Sequence, residues 1–414
     1  MQESVKTTRT DDFKARVSHY MPRLFMIWLL LSVLAPHQEI YKIFFHIIVI
    51  PAILVVLFTR QSRINWRDPL LITTFILVAY SSLATFVVGT GPWSDHFRAF
   101  RWGVETVFCL MAFYLWLPGV LKAPRWWGRF FILLSLLGAF GGFSLLAFGL
   151  IQGRLSGLGA LHNPIQASSI LIIYLAIGYC LIFMRKRPLQ DQGSVWLMVP
   201  ATIAVSMFVL MSQSRAPIIA LVFFLLFLMY GLLTRINLLK TAALLAGGSG
   251  LVAGLLSLIY GIDHYKDLLL FRGWSYRLEI WEGYLAYPPK SWFFGFGAGT
   301  DPSQLQAAKE IWKPAGLPVT HAHNLWLGTL VETGIIGLAL LTVIAVLLLK
   351  SALSYRRGDI LPSGRLMLLF LVFMLTLTGS HTLVISIKAV WLFGWLPLLL
   401  VWFSRLENEK LTAS

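Results

Sequence analysis

Long apolar blocks constrain this chain more than any other feature of its sequence. Leu70–Val88, Phe130–Leu150, Ile165–Met184, Ala216–Leu233 and Ile335–Leu349 contain no charged residue, and charged residues or Pro and Gly bound each block. Their lengths approach the roughly 20 residues a helix needs to cross the hydrocarbon core of a bilayer. Charged residues make up only 13% of the 414 positions and hydrophobic residues 57%. A soluble domain is about one quarter charged. So few charges cannot cover the surface of a water-soluble chain of this size, which leaves an integral membrane protein.

The apolar pattern predicts an all-α polytopic protein of about twelve transmembrane helices, near 22–37, 43–58, 69–88, 102–118, 129–150, 165–184, 194–212, 215–233, 239–260, 323–349, 366–379 and 387–403. Residues 1–21 and 404–414 are then tails, 22–260 carries nine spans, 261–322 forms one long loop, and 323–403 carries the last three. The first block lacks a small-residue cleavage site and is expected to be an uncleaved first helix. Pro36 and Pro51 leave the boundaries of the first two spans open to a broken or re-entrant helix.

The formal net charge is +16. In a soluble chain that excess would suggest nucleic acid. Here the basic residues fall in short loops, for example Arg60, Arg63 and Arg67, Arg185, Lys186 and Arg187, or Arg356, Arg357 and Arg365. With the N-terminus in the cytoplasm most of the 34 Lys and Arg lie inside, which is the positive-inside pattern, so no nucleic-acid partner is expected. Both termini are expected in the cytoplasm and the long loop outside. Cys109 and Cys180 fall within predicted spans and read as packing residues.

Several cationic residues stand on the outer side, where that rule predicts few. Arg215 lies in the tight turn Ser212-Gln213-Ser214-Arg215-Ala216-Pro217 between two apolar blocks. An arginine held near hydrocarbon is costly and is by default a functional candidate, and its planar fork suits a diphosphate. His323 ends Thr320-His321-Ala322-His323 and is expected at or near the first turn of the tenth span. The positive end of a helix disfavours imidazolium, and a neutral ring can accept a proton. Capping or contact with lipid headgroups accounts for a lone His at that place equally well. Gly334 and Gly337 fall within about 40° of the His323 face, a stripe expected to let a neighbouring helix approach.

Arg277 opens a segment whose apolar residues at 280, 281, 284 and 285 suit an amphipathic helix that ends at Pro288-Pro289. It reads either as a second anion clamp or as a solvated neighbour of Glu279 and Glu282. Lesser candidates for substrate contact are His321, Asn324, Arg98, Arg101, Arg154, His162, Asn163, His381 and Lys388; Glu105 is expected to pair with Arg101 one turn away. No metal site is expected: His321 and His323 stand two apart with no carboxylate at ligand spacing. No cofactor is implied either. The run Phe294-Gly295-Phe296-Gly297-Ala298-Gly299-Thr300 lacks the Lys-Ser/Thr ending of a phosphate loop and reads as a turn.

These residues resemble a known family. His323-Asn324 followed by Gly334-x-x-Gly337, before the last helices of a many-span chain, resembles the signature of bacterial O-antigen ligases. Ser-x-Ser-Arg215 and Arg277-x-x-x-Trp281 are similar to the arginine motifs of the O-antigen ligase/polymerase superfamily. The resemblance implies a membrane glycosyltransferase of the GT-C class in the bacterial inner membrane, with its active site facing the periplasm. The implied donor is O-antigen on undecaprenyl diphosphate, and the implied acceptor is a sugar hydroxyl of lipid A–core. His323 is then the base and Arg215 and Arg277 hold the diphosphate, in an inverting, metal-independent transfer. O-antigen polymerases and protein O-oligosaccharyltransferases share the arginine motifs. A flippase or transporter predicts inverted repeats and midplane charges, and no paired halves are visible in the sequence.

Overall fold

The computed structural model describes residues 9–58, 64–89, 91–182, 192–233, 276–354, 362–380 and 382–411. The described residues form helices and turns, with no strand among them. In chain order the helices are α1 Arg9–Leu34, α2 Gln38–Phe58, α3 Pro69–Val88, α4 Trp93–Lys122, α5 Pro124–Ala147, α6 Pro164–Ile182, α7 Gln192–Met211, α8 Arg215–Leu233, α9 Arg277–Ala286, α10 Leu325–Leu353, α11 Pro362–Gly379 and α12 Leu396–Leu411. Six of them (α2 to α6 and α10) are long and apolar enough to cross a membrane, and five shorter apolar helices accompany them among the described residues. The predicted span 239–260 and the first part of the long loop lie outside the described residues.

The helix starts follow from local chemistry. Pro69, Pro124, Pro164 and Pro362 each open a helix, where the missing N–H costs nothing and the fixed φ is already helical. Asp68 caps α3 by accepting from the N–H groups of Leu70 at 2.9 Å and Leu71 at 3.0 Å. The same carboxylate also accepts from Tyr114 Oη on α4 at 3.3 Å and Trp402 Nε1 on α12 at 2.8 Å. One buried acid thus ties three helices together, the kind of polar contact that holds helices where apolar burial supplies no driving force between them.

Three boundaries differ from the sequence expectation. Pro51 does not break the second span: α2 widens to a π-helical turn at Phe45–Val49, which ends two residues before the proline. The shifted register relieves the clash of the ring with the preceding turn. The fourth helix begins at Trp93, nine residues before the apolar block, because Asp95, His96 and Arg98 make contacts of their own in its first turns. Helix also runs into both predicted tails, from Arg9 in α1 and on to Leu411 in α12.

The largest departure is in α10. Gly334 adopts φ 68° and ψ −167°, which breaks the helix. The segment 292–297 docks into the break. Phe296 N donates to Val331 O at 2.8 Å, Gly297 N to Glu332 O at 3.0 Å, and Ile335 N to Trp292 O at 2.8 Å. Tyr80 Oη on α3 donates to Thr333 O at 2.9 Å. At Gly334 the glycine stripe receives a loop, while Gly337 accommodates the Thr333 side chain of its own helix. A Cβ at Gly334 would strike the backbone at Phe293, and one at Gly337 would strike Thr333. Under the long loop a second small core forms around Ile280, Tyr284, Trp312, Val319, Ala322 and Val331.

Candidate active site

Three helix starts carry the sharpest sequence candidates. Arg215 is the first residue of α8, Arg277 is the first of α9, and His323 lies two residues before α10. A helix N-terminus carries partial positive charge, so an arginine there is electrostatically misplaced unless an anion offsets it. The backbone is strained at the same three places. Among the described residues, the non-glycine positions with positive φ are Gln213 at 51°, Tyr276 at 59° and His323 at 51°. Left-handed backbone disfavours residues with a Cβ, and such positions persist only where the surroundings enforce them.

Hydrogen bonds show what enforces them. Arg154 grips the first turn: its Nε donates to Ser212 O at 2.9 Å and its Nη2 to Ser214 Oγ at 2.7 Å. Both serines are buried. Arg154 thus holds the turn that presents Arg215. In the second, Arg277 Nη2 reaches across to Thr378 O at the end of α11, 3.1 Å away. One helical turn on, Trp281 Nε1 donates to Ala322 O at 2.9 Å, between the two histidines. The Arg-x-x-x-Trp spacing therefore lets one face of α9 hold the arginine and pin the histidine loop.

The third start is capped by Asn324, whose Oδ1 accepts from Trp326 N at 2.9 Å and Leu327 N at 3.0 Å. His323 therefore lies near the first turn of α10, as its place in the sequence predicts. It stands just outside the helix, beside His321, with the two ring centroids 3.8 Å apart. Thr320 Oγ1 lies 2.8 Å from His321 Nδ1.

Charge links these groups in a row. Partial burial, then Arg215, pulls the Arg277 guanidinium below its ordinary range. Burial, then Arg277, pulls His323 below the usual imidazole value. Burial, then His323 and Lys388, brings His321 down to about 3. Lys388 is lowered by burial and then by Lys42 on α2. Burial and the neighbouring cations thus favour the neutral form of both rings. The peptide before Lys388 is fixed on both sides: Ile387 N donates to Glu105 Oε2 at 3.1 Å, and Tyr41 Oη donates to Ile387 O at 3.4 Å. Beside this row an apolar cavity of about 410 Å³ opens between α10 and α11, lined by Leu325, Trp326, Thr376 and Phe373 among others. Among the described residues no three His, Cys, Asp or Glu side chains gather as metal ligands.

Residues 200–342 match the family described as O-Antigen ligase. A protein of Pseudomonas aeruginosa named O-antigen ligase is 26% identical over 251 residues, which is 60% of this chain and 56% of that protein. The resemblance to the O-antigen ligase family holds. With its several apolar helices, the chain is a multi-pass membrane protein.

The region matched to the O-antigen ligase family contains Arg215, Arg277, His323, Gly334 and Gly337, and leaves out Arg154, Thr378 and Lys388. The other sequence candidates divide by their contacts. Asn163 caps α6, accepting from Ile165 N at 3.0 Å and Gln166 N at 3.3 Å. His162 Nδ1 lies 3.4 Å from Gly159 O. Arg98 sits in the first turns of α4 rather than in a loop; it pairs with Asp95 at 2.5 Å and donates to Gly299 O at 3.2 Å. Arg101 stands 3.6 Å from Glu105, as its spacing predicts, and His46 Nε2 approaches the same carboxylate oxygen to 3.4 Å. His381 lies outside the described residues. Tyr80 and Thr378 carried no sequence signal, since one uses a lone hydroxyl in an apolar helix and the other only its carbonyl.

Proposed function

We propose that this chain is an O-antigen ligase that transfers O-antigen from undecaprenyl diphosphate to a sugar hydroxyl of lipid A–core. The observation that carries this reading is the meeting of Arg215, Arg277 and His323 at three helix starts, each with left-handed backbone at or beside it. Like charges gathered in a partly buried row repel one another, and a dianionic leaving group relieves that repulsion. In the transfer, the bond between the anomeric carbon and the diphosphate oxygen breaks as the acceptor oxygen bonds to that carbon from the opposite face. The hydroxyl proton passes to a neutral His323, and undecaprenyl diphosphate leaves with the bonding electrons. Arg215 and Arg277 stabilise the charge that develops on it. One displacement inverts the anomeric centre. The cations take the role a divalent metal plays elsewhere, so the reaction is metal-independent. The polyprenyl chain rests in the apolar cavity beside Leu325 and Trp326.

The reading includes a GT-C fold of about twelve spans, both termini in the cytoplasm, and the site on the periplasmic face of the inner membrane. A polymerase would use the same donor with another lipid-linked glycan as acceptor. The deciding experiment supplies purified protein with lipid-linked glycan and lipid A–core, or with lipid-linked glycan alone. Glycosylated lipid A–core that withstands EDTA is the expected product. Polymer formed from the donor alone would replace the ligase reading with the polymerase one, and activity lost in EDTA and restored by magnesium would end metal independence.

A further inference from the structure

A second cavity, of about 720 Å³, lies at the far end of α9 from Arg277. Its walls include Tyr287, Lys290, Ser291, Phe296, Gln304 and Gln306. That volume falls within the range of small-molecule sites. Its chemistry is unlike that of the cation row. Amide, hydroxyl and phenol groups of Gln304, Gln306, Ser291 and Tyr287 alternate with apolar surface at Val87, Leu305 and Phe296, and Lys290 is the charged residue of its lining. Such a surface suits a neutral, hydroxyl-rich chain, which offers donors and acceptors along its length and apolar C–H faces between them.

The cavity is built rather than incidental. Gly295 N donates to Ser291 O at 2.9 Å, and Phe296 N donates to Val331 O at 2.8 Å, so its floor is fastened to α10 beside the break at Gly334. Asp301 Oδ1 accepts from Ser303 N at 2.9 Å and Gln304 N donates to Asp301 O at 3.0 Å, which fixes the opposite wall. α9 joins the two sites: Arg277 is its first residue, Ala286 its last, and Ala286 and Tyr287 line the cavity. Ten helical residues span about 15 Å. That separation exceeds one sugar ring and suits a chain of them leading away from the diphosphate.

We propose that this cleft is a binding subsite for the distal sugars of the donor, recognising an extended neutral glycan about one α9 length from the reaction centre. The inference rests on the ligase reading for the direction of the chain. Because the subsite is remote, it acts on long donors and not on short ones. Full-length protein in nanodiscs, wild type and Gln304→Ala/Gln306→Ala, is assayed with donors that carry either one sugar or a long polymer. Both glutamines are exposed, so the fold is not at stake. Two lost hydrogen bonds correspond to about a tenfold rise in KM for the polymer donor, with KM for the single-sugar donor unchanged. Gln306→Trp, which fills the cleft, gives the same pattern. Equal effects on both donors, or none on either, overturn the proposal. A second arm needs no catalysis: polysaccharide freed from its lipid is titrated against the same proteins. Binding by wild type that weakens in the double variant supports the subsite even if no transfer occurs, in which case the ligase reading alone fails. No binding by wild type, or displacement of the polysaccharide by lipid A–core, overturns it.

Discussion

The chain contains the dipeptide His-Asn twice, each time at a helix start, and the two copies differ in what surrounds them. Asn163 and Asn324 do the same work: each side-chain oxygen accepts two backbone N–H groups, of Ile165 and Gln166 in one case and Trp326 and Leu327 in the other. The histidines diverge. His162 has φ −64°, an ordinary helical value, and follows a short 3₁₀ turn with its Nδ1 near Gly159 O. His323 has φ 51°, stands beside His321, and feels the charge of Arg277. The cap fixes where a helix begins. What distinguishes the second copy is brought from outside: α9 carries Arg277 to the histidine and holds the adjoining carbonyl of Ala322 through Trp281. The proposed catalytic position is thus set apart from the other copy by a strained backbone and an imported charge beside the same helix cap.

The largest test of that contrast is to remove each ring. His323→Ala is expected to lower transfer by about 10²–10⁴-fold, the range of a lost general base, with membrane insertion intact. His162→Ala should stay close to wild type. Product formed from lipid-linked glycan and lipid A–core measures both, and equal losses would erase the distinction between the copies.

Next come the imported charges. Arg277→Lys keeps the charge and loses the fork, one arm of which holds Thr378 O and which the proposed function assigns to the diphosphate. A fall of about 10–100-fold in kcat/KM for the donor is expected, equivalent to roughly 1.4–2.7 kcal/mol. Arg215→Lys should behave alike. A variant with unchanged kcat/KM would show that no bidentate contact is made.

The pH profile sharpens the comparison further. Burial and Arg277 lower the His323 pKa, so its basic form survives into more acidic solution than that of an ordinary imidazole near 6.5. The acid limb of kcat/KM should therefore lie below that value. Arg277→Gln removes one cause and leaves burial, and should move the limb upward in whatever activity remains. A limb at or above the ordinary value in wild type would contradict a neutral base at His323.

Much of the fold was legible because it depends on composition over long windows. α3 begins and ends where its apolar block does, at Pro69 and Val88, and α8 begins at Arg215 as expected. The candidate site residues showed through as exceptions to the expected sorting: a cation on the side assigned as outer needs a reason. The break at Gly334 was not legible. Its glycine pair fits a close helix crossing equally well by period, and only the docking of Phe296 and Gly297 backbone selects the other use. The role of Arg154 was half visible. The sequence marked an outer arginine, and its partner Ser214 lies 60 positions away, so the bond that holds the Arg215 turn depends on how α5, α7 and α8 pack. Strain at Gln213, Tyr276 and His323 left no composition signal, since none of the three is a residue type chosen for left-handed backbone alone.

The smallest expected effect tests the part the two copies share. Asn163→Ala and Asn324→Ala each remove one helix cap, which costs about 1 kcal/mol. Thermal unfolding in detergent should show similar shifts for both, because each cap satisfies two N–H groups. Transfer should not follow stability. Loss of the Asn324 cap frees the last fixed point before a residue held at φ 51°, and the backbone there relaxes toward unstrained values, carrying the ring away from Arg277. A several-fold fall in kcat with little change in donor KM is expected for Asn324→Ala, and neither change for Asn163→Ala. Restoring the cap with Asn324→Asp should recover kcat, since a carboxylate accepts the same two N–H groups. If Asn324→Asp recovers stability and leaves kcat low, the asparagine touches substrate through its amide and the two copies differ at the cap as well as at the histidine.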